Sequence, residues 1–157
     1  MDLIEASKKG RVAEVESLLE RGIDINVTTR SGMTALMLAA ANGHTGIVSL
    51  LLNFGAEVDA KADQEATALI MACLYGHTAT AELLLARGAN VNARTEEGMT
   101  ALMAACFYGF PDTAELLLKR GADLDAVDNR GQTPLKLAED NDHEDVAAIL
   151  RRHAASE

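Results

Sequence analysis

Apolar residues return along this chain in short clusters at helical spacing, separated by polar stretches that carry glycine. Between Thr34 and Asn53, Leu36, Ala39 and Ala40 fall at i, i+3 and i+4, which puts them on one side of a helix. Ile47, Val48, Leu51 and Leu52 form a second stripe of the same kind. Thr34 stands ahead of the first stripe, where a hydroxyl accepts a hydrogen bond from the free amides of a first turn. Ala35, or Pro134 in the last copy, suits the first helical position. Gly43 ends the first helix by tolerating a left-handed backbone, a second helix starts near Thr45, and Gly55 stops it. Residues 56–59 then lead into an extended connection. The pattern predicts helix, tight turn, helix and long loop.

This unit is copied. Thr-Ala-Leu begins at Thr34, Thr67 and Thr100, and Thr133-Pro134-Leu135 follows at the same interval of 33 residues. Gly10, Gly43, Gly76 and Gly109 keep that interval in a second phase, and Gly22, Gly55, Gly88 and Gly121 keep it in a third. The second-helix stripe recurs as Val15, Leu18 and Leu19 upstream, and as Leu84, Leu85, Leu117 and Leu118 downstream. A fixed period of this length signals a stacked array, in which each unit buries its apolar face only against its neighbours. The expected division of the single domain is a capping unit over 1–24, internal units over 25–57, 58–90 and 91–123, and a second cap over 124–157. The first cap opens inside its first helix at Leu3, and Lys8, Lys9, Glu14, Glu16 and Glu20 give it a polar outer face. Lys136, Glu139, Asp140, Asp142, Glu144, Asp145, Arg151 and Arg152 do the same for the last unit. Polar terminal units keep an array soluble, so the expectation is a complete all-α array.

The unit resembles the ankyrin repeat, whose consensus runs through Gly-x-Thr-Pro-Leu-His, Ala-Ala-x-x-Gly-His, a Leu-Leu pair and Gly-Ala-x-x-Asn. The chain matches at Gly32, Thr34, Leu36, Ala39, Ala40, Gly43, His44, Leu51, Leu52, Gly55 and Ala56. It matches again at Gly98, Thr100, Leu102, Ala105, Gly109, Leu117, Leu118, Gly121 and Ala122. The resemblance covers nearly the whole chain. It implies paired antiparallel helices stacked into a curved solenoid, with hairpin-like loops at one edge and almost no sheet. Two departures stand out. Met37, Ile70, Met103 and Lys136 occupy the place of the consensus histidine, so methionine packing has to replace its hydrogen bonds. Glu65 occupies the place of Gly32, Gly98 and Gly131, where the loop needs a positive φ. A non-glycine residue there costs about 1 kcal/mol, so the second loop is expected to be strained or rearranged.

Composition narrows the function. A net charge of -10 and a pI near 4.8 repel phosphate backbones and anionic lipid surfaces, which argues against nucleic acid and membranes as partners. The N-terminus carries Asp2 and Glu5 where a secretory signal is basic, and no apolar run approaches a membrane span. Cys73 and Cys106 hold equivalent places in neighbouring units. Stacked helices lie roughly 8–10 Å apart, beyond the 7 Å or so between Cα atoms that a disulfide tolerates. Both are read as reduced, buried thiols in a cytoplasmic protein. His44, His77 and His143 recur in register, but one repeat separates them, too far to share an ion at about 2.1 Å. The resemblance gives them instead a place beside the turn, holding loop and helix ends. No phosphate-binding glycine loop, metalloprotease signature or nucleophile and base pair is present. The chain is therefore read as a non-enzyme with no cofactor and no metal.

The resemblance also places the partner-facing surface at the C-terminal ends of the first helices, on the concave side. There stand Leu74, Tyr75, Phe107 and Tyr108, with Ala41 and Asn42 in the first full unit. Met33 and Met99, one residue past the loop glycine, project toward the same groove. Tyr, Phe and Met are enriched at interface centres. Arg30, Lys61, Asp63, Arg94, Glu96, Glu97, Asn129 and Arg130 form the expected rim. The bland alternative is that the rings fold onto the next repeat and thicken the core. The reading is a protein–protein interaction module. The alternative is a regulatory or inhibitory subunit that blocks or positions the active site of a partner enzyme or toxin. The chain is read as a monomer, with a homodimer through the ring patch as the other arrangement.

Overall fold

Each threonine of the repeated tripeptide starts a helix. The computed structural model describes residues 1–157. Thr34, Thr67, Thr100 and Thr133 have extended backbone, and the Oγ1 of each accepts from the amide three residues on, at 3.2–3.3 Å. Ten α-helices result: α1 (Leu3–Lys9), α2 (Val12–Glu20), α3 (Ala35–Ala41), α4 (Thr45–Asn53), α5 (Ala68–Leu74), α6 (Thr78–Ala86), α7 (Ala101–Tyr108), α8 (Pro111–Lys119), α9 (Pro134–Asp140) and α10 (Glu144–Ala155). The odd-numbered helices pack side by side in chain order, and the even-numbered helices form a second row behind them. There is no strand, only an isolated bridge between Thr28 and Thr34.

An inner first helix is flanked on both sides and backed by its own second helix. Its sequence reflects this: Ala101 to Cys106 are six consecutive buried residues of α7. Ala39, Ala40, Ala72, Ala104 and Ala105 have no exposed surface and let the helices approach closely. Met37, Ile70 and Met103 are buried as apolar filling, as their departure from the consensus requires, whereas Lys136 is exposed and pairs with Asp140 at 2.6 Å. Cys73 and Cys106 are free and buried. Ser7, in register with them, is buried too, and its hydroxyl has no partner.

The turn inside each unit is closed by the following unit. Gly43 has φ +68, and a Cβ there would lie 2.6 Å from the ring of His77. Gly10 and Gly109 are covered in the same way by His44 and His143, and Gly76 by Phe110. The Nε2 of His44, His77 and His143 each lies 3.0 Å from a carbonyl, that of Lys8, Ala41 and Phe107 respectively. A carbonyl only accepts, so Nε2 carries the proton. The histidines thus tie three of the turns to the one before, and at Gly76 a phenylalanine ring takes that place.

The loops are also linked. Asp63, Glu96 and Asn129 donate their amides to the carbonyls of Ser31, Gln64 and Glu97, each at 2.9 Å. The second loop keeps this ladder but is distorted, as the residue at its glycine place leads one to expect. Glu65 has φ +61, and the distortion extends to Gln64, also at +61, within a 3-10 turn over Asp63–Glu65. In the other loops a side chain braces the tip: Thr29, Thr95 and Asp128 accept from the amides of Met33, Met99 and Gln132. Ala62 holds that place in the second loop and has nothing to offer.

Candidate interaction surface

After α1, where Lys9 holds the place, the C-terminal ends of the first helices divide into two kinds. Asn42 and Asn141 stand in register with Tyr75 and Tyr108. Their side-chain amides donate to the carbonyls of Leu38 and Leu137, at 2.8 and 2.7 Å, and so cap their helices. A phenol cannot make this bond. The two central units therefore give up a helix cap and present a ring.

Those rings stay outside the core. Tyr75 is 58% exposed, Tyr108 51% and Phe107 39%, so the alternative in which they thicken the core does not hold. Phe107 meets Tyr108 edge to face, with centroids 4.9 Å apart. Two hollows lie on either side of Tyr108. One, of about 330 Å³, runs between the loop tips and helices α7 and α9, lined by Met99, Met103, Phe107, Tyr108 and Leu137 with Glu97, Asp128, Asn129, Arg130 and Gln132. The other, of about 340 Å³, is lined by Leu74, Tyr75, Tyr108 and Phe110.

Of the expected contact residues, Met99, Phe107 and Tyr108 meet in the first hollow, joined there by the rim residues Glu97, Asn129 and Arg130. Leu74 and Tyr75 meet Tyr108 in the second. Met33, Ala41 and Asn42 lie outside both hollows, one unit away. Met33 and Ala41 are half-buried, the Ala41 carbonyl is held by His77, and the Asn42 amide is held as a cap. Arg30, Lys61, Asp63 and Glu96 are exposed, and Lys61 reaches Glu65 at 3.4 Å. Arg94 is exposed, and its guanidinium donates to the Val127 carbonyl in the next loop. The Asn129 amide likewise donates to the Glu96 carbonyl at 2.8 Å.

Phe110, Met103, Leu137, Asp128 and Gln132 were not among the expected residues. Phe110 had a sequence signal, since it breaks the histidine register of His44, His77 and His143. The others lie on the walls of a groove whose shape depends on how two loops lean over two helices. The thiols offer no nucleophile, because burial pushes both Cys73 and Cys106 up to about 12.

No helix is long and apolar enough to cross a membrane. The family model described as ankyrin repeats (3 copies) matches residues 3–95 and 91–156. No curated protein matches the chain. Ankyrin repeats are in general protein–protein interaction modules, and the chain belongs to the ankyrin repeat family.

Proposed function

We propose that this chain is a non-catalytic module that holds a partner protein against the concave side of the stack, through Tyr75, Phe107, Tyr108 and Met99, and that it does so in the cytoplasm. The observation that carries this reading is the exchange of capping asparagine for exposed tyrosine in the two central units alone. A lost cap is a stability cost without return inside the fold. Large rings in a pre-shaped hollow limit the ordering cost of association. Loop-tip charges such as Glu97 and Arg130 then tune encounter and choice of partner more than affinity. Buried thiols that stay reduced fit a reducing compartment.

The test uses the residue that the chain itself places at 42 and 141. In Tyr75→Asn/Tyr108→Asn the capping bonds return, so the thermal midpoint is expected to hold or rise. Affinity for a partner captured from the source cytosol is expected to fall about ten-fold or more, as for loss of an interface anchor. A partner that binds the double variant as tightly as the parent chain removes the ring patch as the site.

A further inference from the structure

We infer that the hollow walled by Leu74, Tyr75, Tyr108 and Phe110 takes a cationic side chain, an arginine guanidinium, from the partner protein. It rests on the binding-module reading only for the source of that cation. The hollow exists because of one break in a repeated device. In three turns an imidazole N–H reaches back 36 residues to a carbonyl, from His44 to Lys8, His77 to Ala41 and His143 to Phe107. At the fourth, Phe110 stands over Gly76 where the imidazole would be, with a Cβ on Gly76 only 2.8 Å from its ring. The carbonyl at the matching position, that of Leu74, therefore lacks the donor its counterparts have. The same exchange sets three of the chain's five aromatic rings, those of Tyr75, Tyr108 and Phe110, beside Leu74 in the walls of one hollow. Tyr108 and Phe110 lie near-parallel, at an interplanar angle of 25° with centroids 6.4 Å apart.

Two demands then have to be met by one occupant. Ring faces carry negative potential and attract a cation within about 6 Å of a centroid. The Leu74 carbonyl accepts an N–H. A guanidinium is flat, weakly hydrated and carries five N–H donors, so it stacks on rings and still donates to the carbonyl. An aliphatic anchor would fill the space and leave the carbonyl without a partner. A carboxylate or phosphate meets no lysine or arginine in the lining, in a chain of net charge -10. The charge of the whole molecule favours the same occupant.

The probe is N-acetyl-arginine amide, followed by NMR on the ring resonances at physiological salt, with the neutral isostere N-acetyl-citrulline amide beside it. Saturable shifts confined to Tyr75, Tyr108 and Phe110 are expected, with citrulline weaker by about five-fold or more. Phe110→His is the decisive variant, because the chain tolerates histidine at the three equivalent places. It is expected to keep the melting temperature and lose the response, since its imidazole supplies the donor and removes a ring. Tyr108→Leu, which keeps bulk and removes the ring face, is expected to weaken arginine by about five-fold. Equal response to citrulline, a wild-type response in Phe110→His, or shifts that never saturate each overturn the assignment. The two proposals fail separately. An arginine response with partner affinity intact in Tyr75→Asn/Tyr108→Asn removes the binding-surface reading. Loss of partner binding in that variant, with no response to arginine, removes only the cation.

Discussion

Glu65 carries a conformation that its counterparts leave to glycine. Gly32, Gly98 and Gly131 have φ of +75, +83 and +75, and Glu65 has +61. A side chain in that region crowds its own carbonyl and costs about 1 kcal/mol, while the exposed pair with Lys61 returns less. Glu65→Gly is therefore expected to stabilise the protein by about 1 kcal/mol, read as a higher thermal midpoint. An unchanged or lower midpoint would show that the inter-loop ladder, and not the backbone at 65, sets the energy of this loop. The position was legible from register alone. The matching distortion at Gln64 was not, because it follows from how the loop turns to keep its amide and carbonyl on the ladder.

Between elements, the second helices are joined by polar pairs the repeat interval does not disclose. Thr45 meets Thr80, and Thr78 meets Thr113, hydroxyl to hydroxyl at 2.7 Å. Thr80 and Thr113 are fully buried, so each needs its partner. The same two register places hold Val12 with Ile47 at one end of the stack and Pro111 with Val146 at the other, so polar is matched with polar and apolar with apolar. Thr113→Val leaves the Thr78 hydroxyl without its partner and is expected to cost about 1 kcal/mol. Thr78→Val/Thr113→Val should cost clearly less than the sum of its single variants in denaturant titrations, and additive costs would mean that the hydroxyls are not coupled. Helix starts, stops and stripes were all readable because they are local chemistry: a threonine cap, a left-handed glycine, a period of 3.6. The threonine pairs are offset by 35 residues, not 33. That offset comes from how one helix is turned against the next, which no single unit encodes.

At the scale of the whole molecule, Cys73 and Cys106 sit in neighbouring first helices near the middle of the stack, in register with Ala40. Burial raises both thiols from the ordinary 9.0 to about 12. The folded state then holds its thiol protons more tightly than the unfolded chain, so their contribution to stability is complete below pH 9 and declines from there toward 12. Denaturant midpoints are expected to fall over that window. Cys73→Ala/Cys106→Ala, which copies the residue at 40, should flatten the fall, and an identical slope in the variant would place its origin elsewhere. The stacking that buries these thiols was legible from the repeat, and so was the exposure of three rings at its centre. Their division into two hollows was not, since it depends on Phe110 leaning back over Gly76 and on the third and fourth loops leaning over Phe107. Tyr108 is the wall common to both spaces. A guest pressing on one face of that ring fixes its rotamer for the other, so two anchors of a single partner would dock here as coupled events, the first setting the shape of the second.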